Sequence, residues 1–123
     1  MGDGIMVFFG APLNMEAKNQ VESAVECAKD MLKALDQLNK IWQKEGLETM
    51  GLRIGIHHGK AIVGNFGGVK RQDYTVIGPA VNLASRIESV SEPGKIFISN
   101  EVIVFSTLFG KYLADSSELF EIK

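Results

Sequence analysis

The sequence predicts an α+β domain in which helices cover one face of a mainly antiparallel sheet. One observation is a long amphipathic helix: apolar residues recur at intervals of three and four from Val21 to Trp42, and Gly46 supplies a terminating glycine. The other is a series of short segments rich in β-forming residues and bounded by turn residues, at 52–57, 61–64, 74–77, 95–98 and 119–122. Because such strands alternate with helices and hairpins, a helix-covered sheet is expected.

The remaining segments complete this order. Residues 5–9 are a short apolar run closed by glycine and proline, which predicts a buried strand, and residues 2–4 ahead of it predict a tight turn. Asn14 is the expected N-cap of the long helix. The glycine-rich, basic segment 67–72 predicts a mobile loop, whereas Pro79 suits the first turn of a second helix.

Length and composition limit the possible functions. The chain has 123 residues, 46% of them hydrophobic and 23% charged, which suits one globular domain over residues 1–123. The formal net charge of −2 excludes a bulk basic field, so no nucleic-acid partner is expected. The single cysteine, Cys27, excludes an internal disulfide, and no apolar run reaches the roughly 18 residues that span a membrane. We therefore expect a cytoplasmic domain, which leaves open a membrane anchor elsewhere in a longer parent protein.

Two groups of residues have side chains suited to chemistry. Asp3 lies between two glycines, where its carboxylate could ligate Mg²⁺, although an Asp-Gly pair also serves simply as a turn. Asn82 and Arg86 are four residues apart near the start of the second helix, so they share one face, one turn apart. An amide and a guanidinium there can hold a ribose oxygen and a phosphate; the alternative is an ordinary polar helix surface.

A series of short motifs follows in order from residue 2 to about residue 104. These motifs are Gly2-Asp3-Gly4-Ile5-Met6, Arg53-Ile54-Gly55-Ile56-His57-His58-Gly59, Gly64-Asn65-Phe66-Gly67, Arg71, Asp73-Tyr74-Thr75-Val76-Ile77-Gly78, Val81-Asn82-Leu83-Ala84-Ser85-Arg86-Ile87-Glu88, Pro93-Gly94, and finally Ile96, Ile98 and Ser99. In order and spacing they resemble the catalytic domain of class III adenylyl and guanylyl cyclases. The joint spacing across most of the chain makes this resemblance highly specific.

The resemblance implies a ferredoxin-like α+β sandwich that works as a head-to-tail homodimer, with two sites at its interface. Each site would hold two Mg²⁺ or Mn²⁺ ions on two aspartates, of which Asp3 matches the second. Asn82 matches the residue that orients the ribose, and Arg86 the one that stabilises the transition state. Thr75 matches the position that recognises the purine, where adenylyl cyclases usually carry Asp or Thr. The implied reaction converts ATP to 3′,5′-cyclic AMP and pyrophosphate by two-metal catalysis.

The sequence departs from the family at its start. The family's first strand and first helices, with the first metal aspartate and a base-recognising lysine, have no match and would fall ahead of Met1. We therefore expect a partial catalytic domain that shows no turnover by itself, with regulatory domains in the same parent chain. Pro79-Ala80 also replaces a more usual Asp-Thr pair. A guanylyl cyclase, and a cyclase-like module that dimerises or binds nucleotide without turnover, are the alternatives.

Overall fold

The computed structural model describes the backbone of residues 4–68, 71–103, 112–114 and 119–122, and the side chains of residues 4–65 and 75–103. Within these ranges the helices are α1 (Ala17–Lys44), α2 (Pro79–Val90) and α3 (Asn100–Ile103). The strands are β1 (Ile54–Ile56), β2 (Ile62–Gly68), β3 (Arg71–Ile77), β4 (Ile96–Ser99), β5 (Tyr112–Ala114) and β6 (Leu119–Ile122). This alternation of helices and strands confirms the α+β class.

The described strands form two sheets. Four of them make one sheet in the order β1-β4-β6-β5, and β2 and β3 make a separate antiparallel hairpin. β1 pairs with β4 in parallel, whereas the β4–β6 and β5–β6 pairs are antiparallel. The predicted mainly antiparallel pairing is therefore confirmed, although β5 was not predicted from the sequence pattern.

α1 and α2 lie on opposite faces of β1. One face is covered by a buried apolar cluster against which Ile54 and Ile56 pack; its members are Val21, Val25, Ala28, Ile96, Ile98 and Val102. Gly55 points to the other face. There, a Cβ added to Gly55 would lie 2.4 Å from the backbone nitrogen of Glu88 in α2. The expectation that helices cover a single face is therefore wrong for α2, because a glycine leaves a flat backbone surface on which a second helix packs.

α1 ends where the sequence predicts but begins later. Gly46 follows the helix with φ +75°, the left-handed conformation that ends many helices. The first helical residue is Ala17, so the prediction of Asn14 as N-cap is wrong. The reason is local: the side-chain amide of Gln20 donates to the Met15 carbonyl at 2.7 Å, so this carbonyl bonds a side chain where a helix would use a backbone N–H. In the described part of the chain, no helix has the combination of length and hydropathy that a membrane span requires.

Residues 4–9 form no strand, so the prediction of a buried strand at residues 5–9 is wrong. Ile5, Met6 and Val7 are 78%, 45% and 48% exposed. A strand becomes regular only through hydrogen bonds to a neighbouring strand. Here a cavity of about 1000 Å³, lined by residues 4–11 on one side and by β1 on another, separates the segment from the sheet.

The hairpin formed by β2 and β3 is longer than predicted. Its ladder runs from the pair Ile62–Ile77 to the pair Gly68–Arg71. The prediction of a mobile loop over residues 67–72 is therefore wrong for residues 67, 68, 71 and 72, which belong to the two strands. Continuous cross-strand pairing outweighs the low β-propensity of glycine at these positions.

Candidate functional site

α2 begins at a glycine–proline pair that turns the chain sharply. Gly78 has φ +139°, a conformation that residues with side chains rarely adopt, and Pro79 occupies the first helical turn, as the sequence predicts. The N–H of Val81 donates to the Gly78 carbonyl at 3.1 Å and closes this turn. Strand β3 therefore leads directly into the helix that carries Asn82 and Arg86.

The two faces of α2 have different surroundings. Ala84 and Glu88 contact β1 at Gly55, where an added Cβ would lie 2.9 Å from the Ala84 carbonyl oxygen and 2.4 Å from the Glu88 nitrogen. A helix rotates about 100° per residue, so Asn82 and Arg86 lie about 180° around the axis from this contact. Both residues are exposed. They therefore share one outward face of α2, as the sequence predicts, and this face points away from the sheet.

Thr75 lies in β3, shortly before α2. Its partner in the β2–β3 ladder is Gly64, and Thr75 is half-buried. Directly paired residues of an antiparallel ladder point to the same face. A Cβ added to Gly64 would meet no atom of the described residues within 4 Å. The described part of the chain therefore leaves space on the Gly64 side of Thr75, whose hydroxyl can donate and accept.

The large cavity next to β1 does not contain the predicted site. Its wall on α2 is the inward face of the helix, including Ala80, Ala84 and Glu88. Thr75, Asn82 and Arg86 do not line it. The candidate site is thus an open surface, and no described element of the chain encloses its outward face.

The predicted metal ligand, Asp3, lies outside the described residues. Among the residues described, no group of three or more His, Cys, Asp or Glu side chains is placed to hold a metal ion.

A polar cluster to which the sequence patterns assigned no role lies where β1 and β4 end. His57 has a side chain only 8% exposed; its Nδ1 is hydrogen-bonded to Ser99 Oγ at 2.8 Å and lies 3.8 Å from Glu101 Oε2. Burial lowers the pKa of His57 from 6.5, and the nearby His58 lowers it further, whereas the Glu101 carboxylate raises it. The neutral imidazole is therefore favoured, and it ties the end of β1 to β4.

Comparison with known proteins identifies the family. The family model for the adenylate and guanylate cyclase catalytic domain matches residues 1–123, and the chain belongs to this family. The adenylate cyclase of Anabaena cylindrica is 38% identical over 96 residues, which cover 75% of this chain and 18% of that protein. The receptor-type guanylate cyclase Gyc76C of Drosophila melanogaster is 35% identical over 124 residues, covering 100% of this chain and 8% of that protein.

A solved structure confirms the fold. The crystal structure of the guanylyl cyclase Cya2 superposes with a TM-score of 0.84 at 34% identity, covering 99% of this chain and 66% of that chain. The chain spans between 8% and 18% of the length of the curated adenylate and guanylate cyclases that it matches first. Both kinds of cyclase appear at similar identity, so the comparisons establish a nucleotide cyclase catalytic domain without separating ATP from GTP.

Proposed function

We propose that the chain is part of an adenylyl cyclase catalytic domain, which converts ATP to 3′,5′-cyclic AMP and pyrophosphate. The observation that carries the proposal is the outward-facing pair of Asn82 and Arg86 on α2, in a chain that belongs to the cyclase family. Both side chains project from a helix that packs backbone-to-backbone on β1, so the two groups start from a rigid base.

The reaction requires that growing phosphoryl charge be stabilised. The ribose 3′-oxygen attacks the α-phosphorus, the bond between that phosphorus and the pyrophosphate oxygen breaks, and the hydroxyl proton passes to a base or to solvent. The Arg86 guanidinium presents a planar fork of N–H donors, which suits oxygens whose negative charge increases in the transition state. The Asn82 amide can both donate and accept, which suits it to hold a ribose oxygen in the attacking orientation.

Base recognition is proposed for Thr75. Its hydroxyl can accept from the adenine amino group or donate to a ring nitrogen. The described residues leave room beside Gly64 for a planar base to approach the strand. We propose an adenine preference on the identity of this residue.

We also propose that the site uses divalent cations. Asp3 would supply one carboxylate ligand, and the other aspartate ligand is not in this sequence. When bound, two Mg²⁺ or Mn²⁺ ions would lower the pKa of the attacking hydroxyl and neutralise phosphate charge. A carboxylate flanked by two glycines suits a ligand position close to the backbone.

A head-to-tail homodimer is proposed as the assembly that closes the site. Asn82 and Arg86 are exposed, and within the part of the chain that is described they face away from β1, so a second protomer is a suitable source of the opposite wall. Regulatory domains in the same parent chain are proposed because the matched relatives are many times longer than this chain. A cytoplasmic position is proposed because the substrate is a nucleoside triphosphate.

A guanylyl cyclase is the second candidate. It is favoured by the guanylate cyclase Gyc76C and by the Cya2 structure, which match this chain over 100% and 99% of its length. Threonine carries a single hydroxyl that is a weaker discriminator between purines than a carboxylate or an amide.

The experiment that tests the proposal measures cyclic nucleotide formation by the full-length native polypeptide. ATP and GTP are supplied separately at equal concentration, each with Mg²⁺ or with Mn²⁺. We expect cyclic AMP to form from ATP at least tenfold faster than cyclic GMP forms from GTP, and Asn82→Ala to abolish cyclic AMP formation. Asn19→Ala is the matched control, since Asn19 is an exposed asparagine on α1.

Other outcomes separate the alternatives. A faster rate with GTP would establish the guanylyl cyclase and contradict the adenine preference. A folded dimer that forms neither product under any of the four conditions would contradict both candidates and leave the non-catalytic module.

A further inference from the structure

β1 and α2 approach each other more closely than two elements with side chains between them could. A Cβ added to Gly55 would lie 2.4 Å from the Glu88 nitrogen, 2.9 Å from the Glu88 Cα and 2.9 Å from the Ala84 carbonyl oxygen. All three are backbone atoms, which cannot rotate away as a side chain could. Gly55 is therefore the residue that allows α2 to lie directly on the strand.

The contact continues along one row of the helix. An added Cβ at Gly59, beyond the end of β1, would lie 3.1 Å from the Ala80 Cβ. Ala80, Ala84 and Glu88 are spaced by four residues, so they form one row along α2 that faces the strand. Small residues at two of these positions keep the helix axis close to the sheet.

An ion pair lies at the far end of the same row. Nε of Arg53, the residue just before β1, is 3.3 Å from Oε1 of Glu88. The two side chains are 47% and 39% exposed, so solvent screens their attraction and the pair contributes little to the stability of the fold. Its geometry nevertheless opposes sliding or rotation of α2 along the flat surface at Gly55, because either motion would separate the two charged groups.

The contact of the row Ala80, Ala84 and Glu88 with β1 determines where the opposite face of α2 points. Asn82 and Arg86 lie about 180° around the helix from it, so any displacement of α2 on β1 moves both side chains. We propose that Gly55 and the Arg53–Glu88 ion pair are positioning residues, which hold α2 against β1 in the one placement that aims Asn82 and Arg86 at the substrate. This inference rests on the proposed function of those two residues.

The size of the effect follows from the distances. A Cβ at residue 55 must move about 1 Å from the Glu88 nitrogen to reach ordinary van der Waals separation, taken as 3.4 Å. A misplacement of about 1 Å at a reacting group can reduce a rate about 100-fold. Gly55→Ala should therefore lower kcat by about 10- to 100-fold, while KM for the nucleotide changes by less than about threefold.

The control for a merely structural effect is a variant of the opposite face. Val25 is fully buried against the other side of the sheet, so Val25→Ala should lower the melting temperature without moving α2. Both variants are measured at a temperature where each is folded. Loss of kcat in Gly55→Ala with wild-type kcat in Val25→Ala supports the inference. Equal kcat values in the two variants would overturn it.

The ion pair is tested by exchanging its charges. Arg53→Glu and Glu88→Arg should each reduce kcat about 3- to 10-fold, and the double variant should recover at least half of the wild-type value. The matched control exchanges Asp36 and Lys40, an exposed pair on α1 with 3.2 Å between its charged atoms, and should leave kcat unchanged. Since all four side chains are at least 39% exposed, these variants are expected to fold even if Gly55→Ala does not. Additive losses in the double variant, without recovery, would contradict a positioning role.

A second readout separates failure of this inference from failure of the proposed function. Hydrogen–deuterium exchange of the full-length protein should accelerate in α2 more than in α1 for Gly55→Ala, and in α1 more than in α2 for Val25→Ala. This result does not depend on turnover. If the wild type forms no cyclic nucleotide, only the proposed function is contradicted. If the hydrogen–deuterium exchange rate of α2 is unchanged in Gly55→Ala, the placement of α2 by Gly55 is contradicted.

Discussion

Replacing Arg86 by alanine should remove turnover without weakening the fold. The Arg86 side chain is exposed on the outward face of α2, and in the described part of the chain it makes no ion pair or hydrogen bond. Alanine also has a higher helix propensity than arginine. An exposed substitution of this kind changes the free energy of unfolding by no more than about 0.5 kcal/mol. The melting temperature should therefore stay within about 3 °C of the wild type.

The expected loss of catalysis is much larger. Removing one fixed donor that meets transition-state charge costs about 2.7–4 kcal/mol, which is about 10²–10³ in kcat. A guanidinium that stabilises phosphoryl transfer can contribute more, about 10³–10⁵. Because Arg86 lies on an open surface, where its charge is hydrated before substrate binds, we expect the lower range. The prediction is a fall in kcat of about 10²–10³, with KM changed by less than about threefold.

The assay compares initial rates of cyclic nucleotide formation with thermal unfolding of the same preparations. Arg86→Lys keeps the charge but loses the planar fork, so it should recover only part of the rate. Lys33→Ala removes an exposed cation from α1 and serves as the matched control. If Arg86→Ala keeps more than one tenth of the wild-type kcat, Arg86 does not stabilise the transition state. The same conclusion holds if the rate falls only in proportion to the folded fraction.

Ile98→Ala should destabilise the fold by about 3–4 kcal/mol, since Ile98 is 0% exposed and loses three buried carbons at about 0.8 kcal/mol each plus a cavity term. Ile62→Ala, at a residue 65% exposed, should lose less than about 1 kcal/mol in the same chemical denaturation, and equal losses would contradict the assigned core. The lowered pKa of His57 means that the unfolded chain protonates first as pH falls, so the free energy of unfolding should decrease below pH 6.5. His57→Gln should flatten this dependence, and stability that rises on acidification through that range would exclude the assignment. The 123-residue chain alone should form no cyclic AMP from ATP and Mn²⁺ above blank, because the other aspartate of the proposed metal site is not in this sequence; turnover near that of the full-length protein would disprove it.

The cavity between residues 4–11 and β1 explains why residues 4–9 do not form a strand. The sequence alone shows an apolar run, and an apolar run predicts burial. Ile5 and Val7 are instead exposed beside the cavity, because apolar side chains are buried only when another element lies against them. Whether another element lies against a segment is decided by the tertiary fold, which no local pattern reports.

Local chemistry was enough to predict several elements from the sequence. The period of the apolar residues predicted α1, the glycine at position 46 predicted its end, and Pro79 predicted the start of α2. These features depend on the preferred dihedral angles and hydrogen bonds of neighbouring residues, which are the same in any fold. The shared face of Asn82 and Arg86 has the same origin, since it follows from the helical repeat alone.

The tertiary structure decided which way that face points. From the sequence, α2 was expected on the same side of the sheet as α1, and Gly55 was only one member of a motif. In the fold, the missing side chain of Gly55 opens the second face of β1 to the backbone of α2, and Asn82 and Arg86 turn outward as a result. A helical repeat relates residues of one helix to each other, but only contact with a second element determines its rotation about its own axis. For this reason the shared face of Asn82 and Arg86 could be predicted from the sequence, whereas its outward direction could not.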